Sequence, residues 1–551
     1  MSLFTDASLV LVPSGIKNQK IYSVKPTDGS GDLTFSRASN ATRVNSSGLV
    51  EKVRTNELTY SNDFSNAAWT KVRATLTGGQ SDPFGGTDAW RMECSGSTGS
   101  VQIAQNANIG NGSIYAKAGN VSSFNIWVGL NVTFDLSTGT ITSGAANGKI
   151  ESVGGGWYRC TAINPSATVH NPNFTAASLG EYVYIAFAQG ESGGIATDYI
   201  ATTSSAVSVG PVSGLPRLDY SGGASCPKLL LEGTRTNLVL WSEQMDNAAW
   251  DKADVTVTAN TTISPDGYQN ADTVTATAEG QRINQSITVS ASTVYTFSFY
   301  AKKGTMVTPR YSVYDLSNGA FILTQVDYSS LINSSTWTRI TATFTTPSGC
   351  TSIGIYPVNG ATTGTIFIWG AMLEQGSYSS SYLNTLSTAV TRVAESASKT
   401  GVSSLIGSTA GTLYSEFIVN GFADYGTPLC VNNGTTSESI WLTTFANGDI
   451  RAEVFSNAGG GIQATFIKSG NVTGQVYKIA IGYASNNFAF YVNGTQVGST
   501  DLSGSVPVGM NRIDFDYNNS SLFVKSALSI KQALLFPTRL SNADLATLTT
   551  I

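Results

Sequence analysis

Along FNIWVGLNVTF (124–134) the apolar Phe124, Ile126, Val128 and Leu130 alternate with Asn125, Trp127, Gly129 and Asn131. A period of two is the signature of a strand with one face buried and the other wet. Similar runs, rich in β-branched and aromatic residues, occur in EYVYIAFAQ, VYTFSFYA, TIFIWGAML and VYKIAIGYA. Breakers such as STG, SNG, GGG and PSG bound them. Short strands at regular spacing with turn signals between them predict sandwiches or barrels. In YVNGTQV, Asn493-Gly494 between β-formers predicts a type I′ hairpin, because that turn needs positive φ at both central residues. Only the tail departs from this texture: Ser541-Asn542-Ala543-Asp544 before apolar residues predicts one short closing helix.

The pattern is written twice. RTNELTYSNDFSNAAWTK (54–71) returns as RTNLVLWSEQMDNAAWDK (235–252), and SIYAKAG (113–119) as SFYAKKG (298–304). FDLSTG (134–139) returns as YDLSNG (314–319), and WYR (157–159) as WTR (337–339), in the same order at nearly one offset. That spacing far exceeds the 20–50 residues of a solenoid repeat, so each copy is a self-sufficient domain. The expected organisation is an N-terminal segment over 1–56, a first sandwich over 57–213, a linker over 214–236, a second sandwich over 237–393 and a third, unrelated β domain over 394–551.

Composition narrows the functional classes. Charged residues are 12% of the chain, about half the usual share, so Ser, Thr, Asn and Gly must carry the polar surface. Net charge is −5 and no basic cluster stands out, which argues against nucleic acid and anionic membranes as partners. No apolar run approaches the roughly 20 residues that cross a bilayer as a helix, and no membrane insertion is expected. Cys94, Cys160, Cys226, Cys350 and Cys430 are scattered and odd in number, so buried thiols are expected rather than disulfides or a zinc site. The start lacks a secretory leader pattern, and folding in a reducing cytoplasm is expected.

Candidate chemistry is sparse. The single histidine, His170, lies in TVHNPNF, which reads as a loop, and no Ser-His-Asp arrangement can be built around it. Glu232 (LLLEG) and Glu374 (AMLEQG) sit at the edges of the duplicated domains and read as structural. We therefore expect no catalytic residues, no metal and no cofactor. The repeated Trp69 and Trp250, the turn acids Asp135 and Asp315, and the triplets Arg54-Thr55-Asn56 and Arg235-Thr236-Asn237 also read as core, turn and linker-locking residues. Trp127 is different. Its place on the polar face, with Asn125 and Asn131 beside it, offers a flat ring for a sugar's C–H face and amides for its hydroxyls. The competing reading is burial of that indole against a neighbouring domain or subunit.

These phrases also carry a resemblance. TFSRASNATRVNSSGLVE (34–51) and PRLDYSGGASCPKLLLEGTRTNLVLWSEQMDNAAW (216–250) resemble stretches of fibre and minor tail proteins of tailed bacteriophages. YAKKG followed by TWTR and IFIWGAMLEQGSYSSSYL resembles jelly-roll carbohydrate-binding modules, and YVNGTQV with ALLFPTRLSNADLATL is similar to laminin-G or concanavalin-like lectin domains. The resemblance implies an all-β protein: two tandem jelly-roll sandwiches made by internal duplication, then a lectin-like sandwich. It further implies a virion protein, a fibre, spike or appendage whose N-terminal segment attaches to the particle. Its expected partners are other virion proteins and host cell-surface polysaccharide, and by analogy it is a homo-oligomer, a trimer. A purely architectural head or tail decoration and a polysaccharide depolymerase are the alternatives.

Overall fold

Strands take 53% of the chain and helices 4%, in a computed structural model that describes residues 3–17, 19–360, 362–423, 425–515 and 526–551. The all-β expectation holds. The chain divides into two compact units, Val53–Gly210 on one hand and the residues up to Lys52 with Pro211–Ile551 on the other.

The first copy fills the smaller unit. Its two longest strands, Gly99–Ala118 and Trp157–Ala176, run antiparallel and each serves both sheets of a sandwich. Their 99–106 and 168–176 parts pair with Thr70–Val72 on one side and Ser123–Trp127 on the other, followed by Asn131–Asp135 and Thr140–Ser143. Their 111–118 and 157–163 parts pair with Tyr182–Glu191 and Gly148–Gly154, and Ala89–Cys94 and Ala74–Gln80 complete that second sheet. Register shifts at 106–111 mark the corner where the chain passes between sheets. Phe124, Ile126, Phe134, Phe174 and Trp69 fill the space between the sheets.

The second copy repeats this topology. One sheet runs Asp251–Ala253, Arg282–Thr288, Ser352–Asn359, Arg310–Asp315, Ala320–Asp327, and the other Val255–Ile263, Gln269–Ala276, Gly364–Gln375, Val294–Lys303, Thr338–Thr345. The first copy carries one further strand in each sheet: Gly148–Gly154 at an end of one, and in the other Ser123–Trp127, inserted between Trp157–Ala176 and Asn131–Asp135, since the hairpin turned at Asp135 is the counterpart of the hairpin turned at Asp315. The repeated phrase does the same mechanical work in both. Asn56 and Asn237 are fully buried. The Asn56 amide donates to Ala188 O and Ile200 O, and its carbonyl accepts from Leu58 N and Gly190 N. Asn237 does the same with Ala371 O, Leu383 O, Val239 N and Leu373 N. Trp69 Nε1 donates to Tyr60 O and Trp250 Nε1 to Trp241 O, and both indoles are 1% exposed. Asp135 and Asp315 accept from the amides of Ser137 and Ser317, in turns that close on Gly139 (φ 69°) and Gly319 (φ 71°). These residues recur because one buried frame requires them, as the sequence reading supposed.

The rest of the larger unit departs from the expected domain plan. Residues 1–56 and 214–236 are not, respectively, a free-standing segment and a linker. Leu9–Leu11 pairs with Ala527–Phe536, and so does Lys228–Leu231. Leu33–Ser36 pairs with Ser396–Thr400. Leu9, Leu11, Ile21, Leu33, Phe35, Leu229 and Leu231 are buried in the core of the C-terminal sandwich. Without them one sheet would end on the apolar strand Ala527–Phe536 and the other on the polar strand Ser396–Thr400, and open sheet edges demand partners. Asn493 and Gly494 take φ of 48° and 78° between Phe488–Val492 and Thr495–Asp501, the hairpin the sequence predicts. The closing helix is Asn542–Thr549, capped by Ser541, whose side chain accepts from Asp544 N.

Two smaller readings change. His170 is not in a loop: it lies within Trp157–Ala176 and is 0% exposed. Cys94, Cys160, Cys350 and Cys430 are buried free thiols, whereas Cys226 is free and exposed.

Candidate functional site

Period-two alternation in three neighbouring strands brings one set of side chains to the outer face of the first copy's sheet. On Ser123–Trp127 the core takes Phe124 and Ile126, leaving Asn125 and Trp127 outward. On Trp157–Ala176 the core takes His170, Pro172 and Phe174, which turns Asn171 and Asn173 outward. On Gly99–Ala118 it takes Val101 and Ile103, which turns Gln102 outward. The register then sets the rows: Asn131 opposite Trp127 opposite Asn171, and Thr133 opposite Asn125 opposite Asn173 opposite Gln102. The result is an indole, 43% exposed, at the edge of a field of amides.

Hydrogen bonds hold the amides in fixed orientation. Asn131 Nδ2 donates to Thr133 Oγ1 (3.2 Å) and, at 3.4 Å, to Asn125 Oδ1. Asn171 Nδ2 donates to Gln102 Oε1 at 2.9 Å, and Asn173 Nδ2 to Asn171 O at 3.0 Å. Such pre-orientation reduces the entropy lost when a hydroxyl-rich ligand binds. The two rows carry no ionisable side chain, so the face offers neutral hydrogen bonding and a π surface. The chain reverses sharply between Trp127 and Asn131. Gly129 sits at φ 84°, Val128 N donates to Leu130 O, and Asn164 Nδ2 donates to Val128 O at 2.7 Å. A Cβ at Gly129 would lie 2.8 Å from Asn164 Nδ2. This turn is why Leu130 is only half-buried, off the core side where simple alternation put it.

The structure thus brings Trp127, Asn125 and Asn131 together, as the sequence implied, and adds Asn171, Asn173, Gln102 and Thr133. Asn171 and Asn173 escape a sequence reading that takes TVHNPNF as a loop. Its own alternation of His170, Pro172 and Phe174 with asparagines was the available signal.

The corresponding outer face of the second copy is built differently. Tyr314 lies opposite Phe321 with ring centroids 4.8 Å apart, and Tyr356 lies in the adjoining strand with its ring across Gly354. Burial, opposed by the nearby Arg282 guanidinium, raises the Tyr356 phenol above its ordinary value. This face is aromatic with a cation, where the first is aromatic with amides.

The carboxylates considered for catalysis are committed elsewhere. Glu232 is held by Arg217 (2.8 Å) and Arg392 (3.0 Å) and accepts from Ser381 N and Oγ. Those partners outweigh its burial and keep its carboxyl well below the usual range. Glu374 accepts from Ser380 N and Oγ, beside Arg235 at 3.3 Å. Among the described residues no cluster of His, Cys, Asp and Glu is arranged to hold a metal ion, and no helix is long and apolar enough to cross a membrane.

Two sandwiches with outward aromatic residues share the layout of carbohydrate-binding jelly-roll modules. Comparison agrees for the second copy: residues 241–359 match the carbohydrate binding domain family CBM_4_9. No curated protein matches the chain. Among solved structures, the CBM40 of the Ruminococcus gnavus IT-sialidase bound to α2,3-sialyllactose aligns at 14% identity and a TM-score of 0.23, over 26% of this chain and 84% of that one. The binding domain of botulinum neurotoxin serotype D aligns at 15% identity and a TM-score of 0.22, over 28% of this chain and 39% of that one.

Proposed function

We propose that the protein is a glycan-binding component of a tailed-phage particle, a fibre, spike or appendage that adheres to host-surface polysaccharide. The observation that carries the glycan reading is Trp127, exposed on a sheet face beside oriented amides. An indole stacks on the C–H face of a pyranose while Asn125, Asn131, Asn171 and Asn173 exchange hydrogen bonds with ring hydroxyls. The family match of residues 241–359 supports the same chemistry in the second copy. The particle assignment rests on the resemblance of residues 34–51 and 216–250 to phage structural proteins.

The role is adhesive rather than catalytic. Glu232 and Glu374 are buried in ion pairs, unlike the acid and base of a glycosidase, which must flank a bound substrate. Single sugar faces of this kind bind weakly, and two copies per chain, multiplied in an oligomer, raise avidity by about 10²–10⁴.

The test is retention of the purified protein on host-surface polysaccharide, wild type against Trp127→Ala, with thermal melts as the folding control. Weaker retention by a folded Trp127→Ala protein is expected. Equal retention would remove the face from the site, and reducing ends released from the polysaccharide would replace adhesion with depolymerisation.

A further inference from the structure

Within the larger unit lies a second place where ligand chemistry converges. The hairpin Thr42–Val44/Val50–Lys52 and the hairpin Arg217–Asp219/Lys228–Leu231 are counterparts, each just ahead of an Arg-Thr-Asn triplet and each with a cross-strand ion pair, Arg43–Glu51 and Arg217–Glu232. Together with the second copy and the C-terminal sandwich they enclose a cavity of about 240 Å³, lined by Arg43, Asp219, Tyr300, Arg339, Ser379 and Asn420 among others. That is the space of a single small ring rather than an oligosaccharide.

Its surroundings are unusual for a chain with a net charge of −5. Around it, Arg37, Arg217 and Arg392 are buried with Glu232, itself a lining residue, and Glu395 as their only ion-pair partners among the described residues, three positive charges to two negative, and the buried carboxylate of Asp219 in the wall offsets part of that surplus. Arg235 and Arg339 both face the single carboxylate of Glu374. Arg339, which lines the cavity, lies over the Tyr300 ring at 5.6 Å and donates to Ser380 O and Ser298 Oγ, while its buried Nε has no partner. Buried positive charge in excess, with an N–H left unbonded, is costly unless an anionic acceptor arrives.

The first copy closes the matching corner. There Arg159, whose buried Nε is likewise unbonded, lies over Tyr115 and bonds Ser113 Oγ and Thr197 O, but Phe84 and Phe187 pack on Tyr115 with centroids 5.3 and 5.9 Å away. Phe187 (φ 54°) is replaced by Gly370 (φ 64°) in the second copy. The duplicated frame is kept, but the packing places of the two phenylalanines are taken by Trp369 and Tyr382, which pack on Tyr300 with centroids 5.4 and 6.4 Å away, and Tyr300 and Tyr382 both remain in the cavity lining.

We infer that this cavity binds a sugar residue bearing a carboxylate, with Arg339 taking the carboxylate, Tyr300 the ring, and Ser379, Asn420 and Asp219 the hydroxyls. The choice of a sugar rests on the glycan reading above; the choice of an acidic one rests on the arginines.

The experiment is saturation-transfer NMR on the full chain with glucuronate, and glucose as the neutral control. Variants are Ser379→Trp, which fills the mouth, Arg339→Gln, and Trp127→Ala on the separate sheet face. With the sheet face silenced by Trp127→Ala in every protein compared, expected are a glucuronate signal, its loss by at least tenfold when Ser379→Trp or Arg339→Gln is added, and little transfer to glucose. Undiminished signal on adding Ser379→Trp, or transfer to glucose equal to that to glucuronate in Trp127→Ala, would each overturn the assignment. A missing glucuronate signal alongside Trp127-dependent polysaccharide retention would overturn the cavity while leaving the glycan reading in place.

Discussion

His170 is the only histidine in the chain, and its burial has a measurable cost. The imidazole is 0% exposed, packed edge-on against Trp69 at 6.3 Å, and neither ring nitrogen has a hydrogen-bond partner. Gly112 stands against it, where a Cβ would come within 2.2 Å of Nδ1. Burial alone lowers its pKa from 6.5 to about 3. The folded state therefore keeps the ring neutral while the unfolded state binds a proton below about 6.5. The stabilising difference is fully present above that value and is lost as pH falls towards 3. At about 1.4 kcal/mol per pH unit, roughly 3 kcal/mol is gone by pH 4.5 and about 5 kcal/mol at the limit. In histidine-labelled protein one imidazole is observed, and its resonances should hold neutral-form shifts from pH 7 to 4.5. In His170→Leu, the 53–210 unit should melt near the wild-type temperature at pH 7 and above it at pH 4.5. An imidazole titrating near 6.5 in folded protein, or parallel acid sensitivity in the two proteins, would refute the reasoning.

Other expectations follow from the same contacts. Trp127→Ala should weaken polysaccharide retention by about tenfold per site, the loss of one stacking contact of roughly 1–1.5 kcal/mol, with unchanged melting. Glu395→Gln leaves Arg37 and Arg217 short of a charge and should destabilise the larger unit by about 3–5 kcal/mol, without moving the melting transition of the 53–210 unit in calorimetry. Asn237→Ala removes a four-bond buried amide and should cost about 2–4 kcal/mol in denaturant titrations; Asn56→Ala should shift the other unit's transition instead. Gly129→Ala, forced to φ 84° beside Asn164, should lower retention through displacement of Trp127 while the core cluster keeps the domain folded.

What could be read directly from the chain was whatever depends on neighbours in sequence. Alternation placed Phe124 and Ile126 inward and Trp127 outward, because a strand's side chains alternate whatever packs against them. Asn493-Gly494 set a hairpin, Ser541 capped a helix, and the doubled phrase announced two copies of one frame. Local pattern alone could not assign partners. It could not say that Leu9–Leu11 pairs with Ala527–Phe536, or that Lys228–Leu231 joins the same sheet, because an edge strand's partner is chosen by shape and register across hundreds of residues. Nor could it bring Asn171, Asn173 and Gln102 beside Trp127, or collect arginines from three parts of the chain around two glutamates. Those neighbours are set by pairing across sheets and by the demand that buried charge find a counter-charge, and both conditions exist only once the chain has folded.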